Sequence, residues 1–433
     1  MIDPDGLNVW CGQDLVGYLQ RNSQGRISFE YEPKWLDSPN NFPVSITLPL
    51  RHEPFSAEEG LAHRYFANLL PEGGSREQIV RDLKIPDTDF DLLRAIGGEC
   101  AGALSLLQAE HGPSEKSEYQ ELSPEDLANL VRRKGQPSTW KAADRPRLSL
   151  AGAQNKCPVL IRDGKYFLST KEAPSSHILK FEIAGYKHLP AFETFTMLLA
   201  RAVGLPTADI TLEFAGKITF ACVRRYDRAF GKAGEIERYH QEDFCQALGQ
   251  PHHRKYESDG GSSFADCFRL LMDVSTDPAV DADLLLRWQI FNVLAGNSDG
   301  HAKNLSLLYL PEGDVRLSPF YDLICTRAIA RIDEKIAFSV GGEKIPGLIT
   351  DEHWRKLARD CGVKEGYVIT LVLGTAKKLL DILRQVRREF EERYGNYTAI
   401  ERIEKVVTNQ CNRALKMPVS RQPKKASKRT DQE

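Results

Sequence analysis

At 433 residues the chain is too long for one hydrophobic core, since single cores stop growing at about 250–300 residues, and more than one domain is expected. A hydrophobic fraction of 41%, 27% charged residues and a formal net charge of -2 suit a globular protein and exclude any global electrostatic pull toward nucleic acid or anionic membrane. Nine cysteines without a C-x-x-C pair suggest neither a disulfide framework nor a zinc ribbon and fit a reducing cytoplasm. Met1-Ile-Asp-Pro-Asp has no basic region leading into an apolar run. The apolar stretch Leu284 to Ala295 is interrupted by Arg287 and is too short to span a bilayer, so a soluble cytoplasmic protein with no membrane role is expected.

In chain order, alternating apolar residues predict strands at Leu7–Trp10, Val16–Leu19, Ile27–Tyr31 and Ile46–Leu50, then helices at Ala57–Leu70 and Ser75–Asp82. The polar run from His111 to Gln120 reads as a linker, so a small α+β domain is expected over 1–110 with a linker over 111–122. Ser123-Pro-Glu-Asp126 is a helix start, with Ser123 as cap, Pro124 in the first turn and acids near the positive end of the helix dipole. Leu148 to Arg225 is strand-rich and contains one helix pattern, Phe192–Val203, closed by Gly204 and Pro206. Residues 241–415 are mostly helical, broken between Asn297 and Asp322. These shifts divide the rest into a strand-rich lobe (123–226), a helical lobe (227–415) and a basic, solvated, disordered tail (416–433) containing Lys424-Lys425-Ala-Ser-Lys428-Arg429.

The break in the helical region carries the chemistry. Asn297-Ser-Asp-Gly-His-Ala-Lys-Asn304 is followed by the runs Leu305–Tyr309 and Val315–Leu317, which flank the turn Pro311-Glu-Gly-Asp314, and then by Pro319-Phe-Tyr-Asp322. An aspartate, an asparagine five positions on and a second aspartate beyond one hairpin is the order in which protein kinases present a catalytic base and two magnesium ligands. Asp299 is the candidate base, and Asn304 and Asp322 are hard oxygen donors of the kind Mg²⁺ prefers. Taken alone, the same residues also read as a helix-ending turn at Asp299-Gly300 with Asn304 as a local cap.

Other parts favour phosphoryl transfer. Ser176-His-Ile-Leu-Lys180 reads as a strand presenting its lysine to a cleft, and the helix that follows carries Glu193, an acid placed to orient that lysine. Leu148-Ser-Leu-Ala-Gly-Ala-Gln-Asn-Lys156 is either an ordinary turn or a loop whose backbone amides approach phosphates. His301 either faces those phosphates or satisfies the turn after Gly300. His252-His253, with Cys245 and Cys267, matches no zinc spacing, and Trp10, Trp35, Trp140, Trp288 and Trp354 read as packing residues.

Several longer segments carry a family resemblance. Glu32-Pro-Lys-Trp-Leu36 to Leu48-Pro-Leu50, Phe66-Ala-Asn-Leu-Leu-Pro71, Ser149 to Lys156, Gln241-Glu-Asp-Phe-Cys-Gln246, Lys255-Tyr-Glu-Ser258 and Asp299 to Asn304 run in order along the chain. Together they resemble the HipA-type serine/threonine kinases, toxins of bacterial type II toxin–antitoxin modules linked to persistence. The resemblance implies an α+β, bilobal, protein-kinase-like fold with an additional small N-terminal α+β subdomain. It implies ATP and Mg²⁺ as cofactors, Asp299 as the catalytic aspartate, Asn304 and Asp322 as metal ligands, and Lys180 as the lysine contacting ATP. Ala151, Gly152, Ala153, Gln154, Asn155 and Lys156 take the place of the phosphate-binding loop, while Arg224, Arg225 and Tyr226 lie where the family's hinge meets adenine. His301 and Tyr321 complete the nucleotide-binding set. Ser149 matches the serine that family members autophosphorylate, an event that ejects the loop and inactivates the kinase.

The implied partners are a dimeric helix-turn-helix antitoxin of the HipB type, operator DNA through that complex, and a protein substrate such as glutamyl-tRNA synthetase. A small-molecule phosphotransferase shares the aspartate, asparagine and aspartate arrangement, and a catalytically inactive kinase fold serving as a corepressor is a third reading. The N-terminal domain and Ser149 weigh against the first, and the intact Lys180, Asp299, Asn304 and Asp322 against the second.

Overall fold

The computed structural model describes residues 5–114, 116–135, 154–170, 172–183, 185–231 and 234–417. Near the N-terminus, alternation places Ile27, Phe29 and Tyr31 on one face, and these residues are buried within an antiparallel sheet. Its strand order is Ile27–Tyr31, Asp14–Arg21, Leu7–Cys11 and Leu104–Gln108. At Gly17 a Cβ would lie 2.2 Å from the carbonyl oxygen of Glu30, so only glycine lets the neighbouring strand pack this closely. Helices Leu61–Ala67, Gly73–Leu83 and Asp89–Ile96 accompany the sheet, and Phe29, Phe55, Tyr65, Phe66 and Phe90 share one core.

Local expectations fail here for identifiable reasons. Ile46–Leu50 is not a strand; it forms turns with one bridge, Ser45 to Leu48. Pro49 supplies no amide, and the Ile46 amide donates to Glu242 at 2.9 Å instead of to a ladder. The helix expected from Ala57 starts at Leu61, after Gly60 at φ +66°. Leu104–Gln108 was not anticipated because its Leu-Ser-Leu-Leu-Gln pattern is weak, and its partner Leu7–Cys11 lies almost a hundred residues away.

The second sheet has six strands, ordered Tyr119–Glu121, Lys165–Ser169, Lys156–Arg162, His177–Lys180, Ile218–Arg224 and Ile210–Ala215. Its one long helix, Leu189–Val203, begins three residues earlier than expected because Pro190 opens it, and ends at Gly204 with φ +104°. Ser123 forms the expected cap on Pro124–Arg132, accepting from the Asp126 amide at 3.1 Å. The helical lobe follows, with Phe264–Val274, Pro278–Ala295, Asp351–Asp360, Glu365–Tyr394 and Ile400–Leu415. Phe195 meets Phe390 edge-on at 5.5 Å, so the helix behind the sheet and the helical lobe share one core. The expected hairpin is present as Ser306–Tyr309 and Val315–Leu317, with Leu307 opposite Leu317. The chain is thus an α+β structure in which a strand-rich lobe and a helical lobe follow an N-terminal α+β domain. Among the described residues, no helix is long and apolar enough to cross a membrane.

Buried charge joins the N-terminal domain to the lobes. Arg225 donates to Glu99 at 2.8 Å and to Asp227 at 3.0 and 2.8 Å, and Arg228 pairs with the same two carboxylates at 3.3 and 2.9 Å. Burial works to raise both carboxyls, but the two guanidiniums hold them below their usual range. A second joint forms at Glu242, which accepts from Ser45 Oγ (2.5 Å), the Ile46 amide (2.9 Å) and Tyr309 Oη (2.5 Å). Burial pushes its carboxyl up to about 7 against the three donors.

Removing Arg225 leaves Glu99 and Asp227 buried with a single guanidinium, that of Arg228, to share, so Arg225→Ala is expected to cost about 3–5 kcal/mol in urea denaturation; a loss below about 1 kcal/mol would contradict the buried pairing. At Glu242 the folded state binds the proton more tightly than the unfolded chain. Its contribution is complete below pH 4.5 and is lost as pH rises through about 7. Glu242→Gln removes this titration, so its stability relative to wild type should rise by about 3 kcal/mol across that window. Denaturation at a series of pH values checks this, and parallel profiles for the two proteins would count against it.

Candidate active site

The strand His177–Lys180 delivers a lysine that is almost fully buried, and the first turns of Leu189–Val203 deliver Glu193. Lys180 Nζ donates to Glu193 Oε1 and to Asp322 Oδ1, so one ammonium joins sheet, helix and the chain after the hairpin. Asp322 sits at φ +55°, a left-handed conformation that aspartate tolerates better than most residues. Burial would raise its carboxyl, but Lys180 and Lys156, the latter at 3.8 Å, hold it far below its usual range and therefore ionised. Lys180 is shifted the other way: burial opposes its charge, and the Asp322 and Glu193 carboxylates prevail and keep it protonated.

The segment with Asp299 is positioned from behind. Helix Pro278–Ala295 ends at Gly296, and Asn292 on its last turn bonds Asn297, whose side-chain oxygen accepts the Asp299 amide at 3.0 Å. A Cβ at Gly300 would lie 2.6 Å from the Asn292 amide nitrogen, so the turn passes close to the helix only because residue 300 has no side chain. The Asn304 amide nitrogen donates to the Asp299 carbonyl at 2.7 Å, which leaves its side-chain oxygen as the group able to take a cation. The helix ends at Gly296 rather than at the turn expected at Asp299-Gly300, and Asn304 closes the turn that follows by its bond to the Asp299 carbonyl.

Asp299 keeps its side chain about half exposed. Tyr256 Oη donates to its Oδ1 at 2.5 Å; desolvation raises the carboxyl, and that bond together with Lys255 works against the rise. His301 is buried, with Nε2 3.8 Å from Asp299, and burial lowers its imidazole to about 3, so it is neutral. Its Nδ1 has no hydrogen-bond partner among the described residues.

Lys156, Lys180, Glu193, Tyr226, Asp299, His301, Asn304, Tyr321 and Asp322 all line one cleft of about 880 Å³. Gln154 and Arg224 line it too. Gln154 Nε2 donates to the Phe181 carbonyl at 2.8 Å, and Asn155 accepts from Ser75 at 3.1 Å. Tyr226 stacks on Tyr321 at 5.6 Å. Arg225 contributes backbone, its amide donating to the Ser176 carbonyl, while its guanidinium turns to Glu99 and Asp227. Arg224 is exposed, 4.0 Å from Asp209. Ser149, Ala151, Gly152, Ala153 and the tail from residue 418 lie outside the described residues.

Asn304 and Asp322 fit a magnesium ion by donor chemistry, one neutral and one anionic hard oxygen, with water and phosphate to complete the shell. Among the described residues no group of three or more histidines, cysteines and acids could hold a metal ion. Sequence reasoning missed Glu72, Lys303 and the function of Tyr256 in this cleft. The segment Lys255-Tyr-Glu-Ser258 was noticed without a role, and Glu72 lies far away in sequence with no local signal.

Comparison with known proteins agrees with this architecture. Residues 148–394 match the model of the HipA-like C-terminal domain, and residues 7–107 that of the HipA N-terminal domain. Y4mE of Sinorhizobium fredii, provisionally named a kinase, is 40% identical over 363 residues, covering 82% of this chain and 86% of that protein. The serine/threonine-protein kinase toxin HipA of Shewanella oneidensis is 28% identical over 398 residues, covering 88% and 89%. The toxin chain in the solved complex of Shewanella oneidensis HipA with HipB and operator DNA superposes with a TM-score of 0.82 at 24% identity, over 95% of this chain and 98% of that one. With family models spanning both its N-terminal domain and its lobes, the chain belongs to the HipA family of toxin kinases.

Proposed function

We propose that this protein is an ATP- and Mg²⁺-dependent serine/threonine protein kinase, the toxin of a toxin–antitoxin module, acting in the cytoplasm. The observation that supports this most is the convergence of Lys180, Asp299, Asn304 and Asp322 on one cleft. Phosphoryl transfer asks little covalent chemistry of a protein; it asks for position and charge. Lys180, held by Glu193, meets the α- and β-phosphates. Residues 151–156 serve as the phosphate-binding segment, and the backbone of Arg224, Arg225 and Tyr226 meets adenine, with Tyr321 stacked behind Tyr226. Asn304 and Asp322 hold magnesium, which when bound neutralises charge on the β- and γ-phosphates. Asp299 accepts the proton of the acceptor hydroxyl as its oxygen bonds to the γ-phosphorus and the bond to ADP breaks. Neutral His301 adds no charge against the phosphates.

The same reading extends to regulation and partners. Phosphorylation of Ser149 adds about -1.5 to -2 charge where ATP phosphates must sit, and so inactivates the kinase. A HipB-type helix-turn-helix antitoxin dimer neutralises the toxin and with it represses the operon on operator DNA. The acceptor is a translation component such as glutamyl-tRNA synthetase, whose phosphorylation slows growth. Residues 1–110, 123–226 and 227–415 are the working units.

A positioned base contributes about 10²- to 10⁴-fold, so Asp299→Asn should reduce phosphate incorporation from radiolabelled ATP by at least about a hundredfold while nucleotide titration gives an unaltered affinity; equal incorporation would sink the assignment. Ser149→Ala should abolish self-inactivation and leave ATP binding intact. Phosphopeptide mapping after incubation with Mg-ATP decides this, and a variant that still loses activity on the wild-type time course would move the control point elsewhere.

A further inference from the structure

The N-terminal domain reaches into the cleft. Asn68 and Glu72 follow the helix Leu61–Ala67 and line the cleft beside the catalytic segment. Lys303, next to Asn304, donates to the Asn68 carbonyl (2.8 Å), the Asn68 side-chain oxygen (2.7 Å) and Asp243 (2.8 Å). Lys255, next to Tyr256, donates to Glu72 Oε2 at 2.7 Å.

Glu72 has a second oxygen. Its Oε1 is buried and has no hydrogen-bond partner among the described residues. Burial alone would raise this carboxyl, but Lys303 and Lys255 prevail and keep it ionised. Buried acceptors are almost always satisfied in native proteins, so an unpartnered one on a residue that lines the catalytic cleft points to a donor arriving with a ligand. The charge around it indicates which donor. Tyr256 Oη rests on Asp299 where an acceptor hydroxyl must sit, and it feels the negative charges of Asp299, Glu72 and Asp259. Lys255 is paired with Glu72 and Lys303 with Asp243, while Asp299 and Asp259 line the same cleft. A charged donor makes the stronger bond to an ionised acceptor.

We infer that Glu72 is a specificity-determining residue for the protein acceptor, its free oxygen receiving a lysine or arginine that neighbours the phosphorylated serine or threonine. The N-terminal domain then forms part of the acceptor site. This rests on the kinase reading above and says which acceptors that kinase prefers.

The test uses the full-length protein, Mg-ATP and serine peptides carrying arginine, leucine or glutamate at each flanking position in turn. Wild type should favour arginine over glutamate by about tenfold or more in kcat/KM at one flanking position. Glu72→Gln should lose most of that ratio through a raised KM for the arginine peptide, with nucleotide affinity unaffected, and Glu72→Lys should reverse it. A wild type indifferent to flanking charge, or an unchanged ratio in folded Glu72→Gln, overturns the inference while leaving the kinase standing. Failure of the wild type to label any peptide or itself overturns the kinase reading, and this inference with it.

Discussion

Lys180 is the charge that the rest of the cleft is built around. It stands at the end of a central strand, and its two partners come from the helix behind the sheet and from the chain beyond the hairpin of the helical lobe. Burial pushes the Glu193 carboxyl up and Lys180 works against that rise, so the buried groups are tolerable only while they stay together, since removing one partner leaves an uncompensated charge in a medium that solvates it poorly. The two lobes are therefore held at a fixed approach by the same contact that sets the electrostatics of the site. Asp322 stays ionised because two lysines sit beside it, and an ionised Asp322 is what a metal requires.

The N-terminal domain is similarly bound in rather than appended. Arg225 lines the cleft and its backbone amide bonds Ser176, yet its side chain closes a buried network on Glu99. Ser75 meets Asn155, Asn68 holds Lys303, and Glu72 holds Lys255. Each contact fixes a residue adjacent to one with a candidate role in phosphoryl transfer. A domain that could have been a separate binding module thus forms part of the lining of the cleft.

Legibility in the sequence followed the range of the interactions. Ser123 with Asp126, the hairpin around Pro311 to Asp314, and the helix closed by Gly204 depend on neighbours within a few residues, and the structure contains them. Leu104–Gln108 and the turn at Ile46–Leu50 depend on partners about a hundred or two hundred residues away, and there the local pattern misled. The same holds within the site. Asp299, Asn304 and Asp322 were visible because one local hairpin brings them together, whereas Glu72 and Tyr256 are ordinary residues until the fold sets them in the cleft.

By itself the sequence determined the chemical inventory: a candidate base, two hard oxygen donors suited to a metal and a lysine with an acid on the following helix, in an order that only a short hairpin and one helix need to close. Tertiary structure decided the states of those groups. Burial makes His301 neutral and Glu242 reluctant to ionise, paired lysines keep Asp322 charged, and an N-terminal carboxylate with one oxygen unpartnered among the described residues is set in the lining of the same cleft. The division is physical: residue identity is carried along the chain, but the field and desolvation that fix a group's charge come from whatever the fold places within a few ångströms.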